Sequence, residues 1–175
     1  MSERTCTRCD RTLPLTEFGK HRGTKDGINL WCKECNREKS NAYYQTPSGI
    51  YSQIGSRERY FKRKPVVINR QDFVEWYNAQ EKKCAYCDIP EEDFLLLKER
   101  YGSRTNRLTV DCKDNEVGYV VGNMVLACER CNFIKSNLLS FEEMRDVAQR
   151  YIKPKWKALK EGRLSRSIYL KDTKR

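Results

Sequence analysis

Residues 108–137 read LTVDCKDNEVGYVVGNMVLACERCNFIKSN. The apolar run from Leu108 ends on an acid, Asp111, and predicts a strand; a second run, Met124 to Ala127, predicts another that finishes on Cys128. Gly118 and Tyr119 between them belong to a loop. Beyond Cys128 a helix is expected to carry Cys131, Asn132 and Lys135. This strand, strand, helix unit decides the reading of everything around it.

Working outward, Cys128 and Cys131 form one CxxC and Cys84 and Cys87 another, with 40 residues between the pairs. A zinc ion held by these four thiolates would clamp the unit at its base, because each CxxC turn presents two sulfurs and two turns complete a tetrahedron. The N-terminal segment repeats the arrangement with Cys6, Cys9, Cys32 and Cys35, spaced by 22 residues. Eight of nine cysteines thus fall into pairs, and His21 is the sole histidine of the chain, so two all-cysteine sites are expected, each holding structural zinc. Redox use is the weaker reading, since redox CxxC motifs come singly on a βαβ unit.

The remaining signals organise the chain. NREKSNAYYQ after Cys35 is compatible with a helix that Thr46, Pro47, Ser48 and Gly49 stop. Residues 50–68 are basic and interleaved with aromatics, up to Pro65, and predict a phosphate-contacting arm in which Arg57, Arg59, Arg63 and Lys64 bind DNA. Asn69 is placed to cap a helix with Phe73, Trp76 and Tyr77 on its apolar face, and Pro90 to open another that Gly102 follows. Ser140 with Glu143 reads as a capping box for a helix that ends near Tyr151, ahead of Pro154. The expected division is a four-cysteine zinc module over 1–46, a basic linker over 47–68, the strand, strand, helix domain over 69–153, and a basic tail over 154–175. The fold class is α+β, small and zinc-stabilised.

Lysine and arginine number 35 against 24 acids in 175 residues, a net charge of +11 and a pI near 9.3. That balance favours a polyanionic partner such as nucleic acid; the plain alternative is a solubilising surface. No apolar stretch is long enough to span a bilayer and MSERTCTRCD lacks the apolar run of a signal peptide, so a cytoplasmic, intracellular protein with no membrane partner is expected.

Residues 108–137, together with FVEWY, CAYC and the four-cysteine N-terminal module, resemble the HNH, or ββα-metal, endonucleases, and among them the rare-cutting restriction enzymes, along most of residues 1–150. The resemblance implies a site-specific nuclease that hydrolyses duplex DNA to products with 5′ phosphates. Carried over by position, Asp111 and Asn132 hold one catalytic divalent cation, Mg2+ or Mn2+, whose preference for oxygen ligands suits them. Asn123 matches the middle asparagine of the motif and braces the loop; its plain alternative is a turn asparagine. Lys135, one helical turn after Asn132, either steadies the phosphate or is a solvated lysine.

Cys112 departs from the pattern. It occupies the slot where most HNH enzymes place a histidine base and where the restriction branch has arginine. A nearby cation and basic surroundings would lower its thiol pKa and make a thiolate base feasible. Tyr77 is the other candidate activator of water, because FVEWY resembles a stretch that approaches the active site; its alternative is a core tyrosine. One active site per chain and a duplex target imply a homodimer on a palindromic site. The competing readings are a phage or homing-type HNH endonuclease or nickase and, from another class, a non-catalytic zinc-finger DNA-binding protein.

Overall fold

The computed structural model describes residues 2–61, 64–101 and 105–164. The chain falls into two compact units, residues 1–50 and 51–175.

In the first unit β1 (Glu3–Thr5) pairs antiparallel with β2 (Thr12–Pro14), and β3 (Phe18–Lys20) with β4 (Ile28–Cys32). Helix α1 (Lys33–Gln45) follows directly: Cys32 is its N-cap, and the Cys32 Sγ accepts from the Cys35 backbone N–H at 3.5 Å. Thr46 ends α1, and Pro47 opens the next helix, α2 (Pro47–Phe61), as the first-turn proline it is built to be. The buried core here is Cys6, Phe18, Cys32 and Cys35, edged by Cys9, Leu13, Ile28 and Trp31. Four of those eight side chains are the paired cysteines, so this unit has almost no apolar interior apart from them.

The second unit opens within α2, so much of the basic arm read from the sequence is helix. Helix α3 (Arg70–Ala79) starts at Asn69, whose side chain accepts from the Asp72 N–H at 3.0 Å. Helix α4 (Glu91–Tyr101) begins after Pro90 with three acids in its first turn, the charge that a helix N-terminus favours. Strands β5 (Thr109–Cys112) and β6 (Met124–Ala127) pair antiparallel, with Asp111 opposite Val125 and Cys112 opposite Met124. Helix α5 (Glu129–Lys135) leaves β6 through Cys128, which is again the N-cap. All three expected elements of residues 108–137 therefore form, in the expected order.

Helix α6 (Phe141–Val147) carries the complete Ser140/Glu143 capping box. It does not end near Tyr151. A π-helical turn, Ala148–Ile152, leads straight into α7 (Lys153–Lys160), with Pro154 in its first turn. The wider turn releases the hydrogen bond that Pro154 cannot make, and the helix goes on to bury Trp156, Ala158 and Leu159, with Trp156 edge-on to Phe94 at 6.1 Å. Residues 154–160 are thus core-packing helix, not tail; the rest of the predicted tail lies outside the described residues from 165 onward. Among the described residues no helix is long and apolar enough to cross a membrane.

The two four-cysteine modules share a local geometry. In each, the first cysteine's N–H bonds to the carbonyl five residues on (Cys6 to Arg11, Cys84 to Ile89, both 2.9 Å), and its carbonyl accepts from an aspartate N–H four residues on (Asp10, Asp88, both 2.9 Å). Both aspartates have left-handed backbone, φ +55° and +61°, which a short polar side chain tolerates. Each turn leads to a hairpin and then to a helix capped by the third cysteine, with α4 inserted between turn and hairpin in the second, so knuckle, hairpin and helix occur twice.

The loop between β5 and β6 is pinned to the segment that follows α2. The Tyr119 N–H donates to the Pro65 carbonyl at 2.7 Å, and the Val67 and Ile68 N–H groups both donate to the Tyr119 carbonyl at 3.1 Å. Gly118, at φ +74°, lets the backbones meet: a Cβ there would lie 2.3 Å from the Pro65 oxygen. Gly118→Ala combines that clash with left-handed strain and should cost about 2–4 kcal/mol, read as a lowered urea midpoint at unchanged m-value. An unchanged midpoint would show that the segment is not packed this way.

Candidate active site

Asp111 and Lys135 are the buried polar or charged side chains among the described residues, each 1% exposed. Asp111 sits near the end of β5 with every side of its carboxylate engaged. Oδ1 accepts from the Lys64 ammonium at 2.9 Å and from the Cys112 N–H at 2.8 Å; Oδ2 accepts from the Tyr86 hydroxyl at 2.9 Å and faces the Lys135 ammonium at 3.8 Å. Lys135 reaches down from α5, with its Nζ also 3.5 Å from Asn115 Oδ1. One carboxylate between two ammoniums leaves an excess of positive charge, an environment suited to an anion. Lys135 is accordingly no solvated lysine.

Asn132, one turn before Lys135, is part-exposed, and its Nδ2 donates to Thr109 Oγ1 at 2.9 Å. That bond engages the amide nitrogen and ties α5 to β5. The Asn123 side chain ties the loop together, with Nδ2 donating to the Asp114 and Gly118 carbonyls, both at 2.7 Å, and Oδ1 accepting from the Asp114 N–H at 3.0 Å.

Cys112 is fully buried, and burial pushes its thiol up to about 11; the Asp111 carboxylate adds to the rise, and the Lys64 and Lys135 charges oppose it. The lowering expected from basic surroundings does not occur, because loss of water outweighs the two lysines. Tyr77 is also buried, stacked on Phe73 at 6.1 Å and capped by the Lys82 ammonium 3.8 Å from its ring. Burial first and then Glu91 push its phenol up, while Arg107 pulls the other way. Tyr77 is therefore grouped with Lys82, Glu91 and Arg107, and it is not a hydrogen-bond partner of Asp111.

The tyrosine that does meet Asp111 is Tyr86, which the sequence reading passed over. It lies between the ligands of the CAYC turn, so closing that turn aims its ring inward; burial and the adjacent Asp111 push its hydroxyl far up, keeping it a donor. The faint signal for it was the contrast with the first CxxC, whose intervening residues Thr7 and Arg8 are polar where this one has Ala85 and Tyr86. Of the predicted DNA contacts, Arg57 and Arg59 are exposed on α2, Lys64 is on Asp111, and Arg63 lies outside the described residues.

Two thiol groups are assembled as predicted. The sulfurs of Cys6, Cys9, Cys32 and Cys35 lie within 4.8 Å of one another, as do those of Cys84, Cys87, Cys128 and Cys131. All are buried but Cys9, whose Sγ accepts from Arg11 Nε at 3.3 Å. Soft sulfur donors in sets of four fit zinc.

No protein-family model and no curated relative matches the chain. Among solved structures it is similar to one described as "An extraordinary mechanism of DNA perturbation exhibited by the rare-cutting HNH restriction endonuclease PacI", with 28% identity, a TM-score of 0.54, and coverage of 90% of this chain and 98% of that one. The likeness runs through both units and agrees with the resemblance read from residues 108–137: the chain is HNH-like in fold and in sequence.

Proposed function

We propose that this HNH-like chain is a divalent-cation-dependent endonuclease of the restriction type, which hydrolyses duplex DNA at a palindromic site as a homodimer. The observation that carries the reading is the buried Asp111, held on β5 against Lys135 of α5 at the foot of a four-thiol cluster. Burying a charged pair costs several kcal/mol of desolvation, and enclosed charges of this kind concentrate at functional sites. The similarity to an HNH restriction endonuclease supports the same chemistry.

In this reading the Asp111 carboxylate and the Asn132 amide oxygen hold the cation, Mg2+ or Mn2+. Both are hard oxygen donors, and a cation so held offsets charge developing on the phosphate. Lys135 fixes the carboxylate and adds positive potential. Asn123 keeps the loop after β5 in one conformation. Tyr86, as a donor to Oδ2, fixes which carboxylate oxygen is presented to the cation. Cys112, with its raised thiol, packs the hairpin and takes no proton. Arg57 and Arg59 contact the DNA backbone, along with Arg63, and the four-cysteine sets hold structural zinc.

The test is digestion of supercoiled plasmids and a randomised library with Mg2+. Cutting at a single recurrent site is expected; DNA left intact throughout would overturn the proposal. The Lys64–Asp111 ion pair favours a second reading, a binder without catalysis, since it occupies the carboxylate that a cation needs. Binding without cutting in the same digestion would establish that reading.

A further inference from the structure

Lys64 stands outside the ββα unit, 47 residues before Asp111, yet its ammonium is on Asp111 Oδ1 at 2.9 Å. The backbone that delivers it is braced: the residues just after it are bonded to Tyr119 and abut Gly118. Lys64 is therefore brought to the carboxylate by built structure and not by a loose arm.

Oδ1 already accepts two hydrogen bonds, from Lys64 and from the Cys112 N–H, so both of its lone pairs are taken. Oδ2 is held by Tyr86 and Lys135, whose buried side chains have no water to retreat to. The Cys112 N–H belongs to the strand. Lys64 differs from all of these: its side chain is 24% exposed against 1% for Asp111, and its stem is long and flexible. It is the one partner that can leave.

Resting on the reading of Asp111 as the cation ligand, we propose that Lys64 is a competing counter-ion built into the cation site. It holds Asp111 Oδ1 until a divalent cation takes that oxygen, and the released ammonium, still tethered by Pro65 and Tyr119, then binds the phosphate that approaches from the solvent side. The exchange couples cation loading to phosphate binding: the lysine that neutralises the acid in the resting site becomes the cation that grips the substrate.

The test is Mn2+ binding to the full, zinc-loaded chain without DNA, read from loss of the free-ion electron paramagnetic resonance signal; Mn2+ prefers oxygen to the thiol sites. Lys64→Gln removes the competitor, so its Mn2+ dissociation constant should fall on the order of tenfold, whereas Lys64→Arg, which keeps a cationic donor, should stay within about twofold of the parent. In cleavage, Lys64→Gln should need less cation for half-maximal rate yet be slower at saturation, on the order of 10²-fold. Asp111→Asn should lose the site. If Asp111→Asn loses Mn2+ but Lys64→Gln binds it as the parent does, Lys64 is only a structural partner and the inference falls. If Asp111→Asn binds Mn2+ normally, it is the reading of Asp111 as ligand that fails.

Discussion

Cys32→Ser will unfold the first unit of the chain. Cys32 is both a member of the thiol cluster and the N-cap of α1, and the unit's core is four paired cysteines with Phe18 and a thin rim of partly buried side chains. A unit of about this size has little apolar area with which to offset its conformational entropy, so metal binding supplies its stability. Structural zinc in small four-ligand sites contributes about 10–16 kcal/mol of apparent binding energy at neutral pH, as much as or more than the whole stability of an ordinary domain. In the full-length variant, two-dimensional NMR should show residues 2–45 collapsed to random-coil shifts. The second unit has Phe73, Phe94, Leu108, Met144 and Trp156 buried and should keep dispersed resonances. Zinc content should drop from two ions to one per chain. Native shifts across the first unit in the metal-free variant would refute the claim that the thiols are its core.

Asp111→Asn will cost cleavage on the order of 10³-fold at saturating Mg2+, while DNA affinity and zinc content stay at parental values. The amide keeps the size of the carboxylate and its oxygen can still accept, but it carries no charge and its NH2 turns toward groups that themselves donate. Asp111→Ala is a different experiment. Both variants leave the Lys135 ammonium buried with no carboxylate, a defect worth about 3–5 kcal/mol, but the alanine form also loses every acceptor and leaves a cavity, which confounds lost chemistry with lost fold. Single-turnover rates measured below both thermal midpoints should fall in both variants, and the midpoint should fall in both but further in the alanine form, so the asparagine form gives the cleaner reading of lost chemistry. A parental rate for Asp111→Asn would remove Asp111 from the chemistry altogether.

Much of the architecture was open to reading because its determinants are local. Asn69 and Ser140 cap their helices through side chains three residues from the amides they accept from, and the runs before and after Gly118 pair as adjacent strands. The thiol clusters were legible for a related reason: spacing alone places two sulfurs on one turn. What was not legible depends on contacts across long stretches of chain. Lys64 looked like one more lysine in a basic arm, and nothing nearby in sequence marks its reach to Asp111. Tyr77 and Tyr86 are both near the second thiol pair, and only the closed turn shows that Tyr86 is the one aimed at the acid. Pro154 was misread as a stop because a π-helical turn upstream, invisible as a pattern, absorbs it. A thiolate base at Cys112 was only one of the open readings, argued from its charged neighbours, and burial reverses the sign of the shift.

The repeated knuckle, hairpin and helix have a practical consequence. The two copies differ in what their hairpins carry: in the second, β5 bears the buried acid, whereas in the first, β3 runs from Phe18 through Gly19 into the exposed Lys20, His21 and Arg22, with no carboxylate among them. On the proposed function, chemistry would rest on the second copy alone, and the first hairpin would be free of it. An engineer seeking a new target could randomise residues 20–25 without disturbing a single hydrogen bond to Asp111.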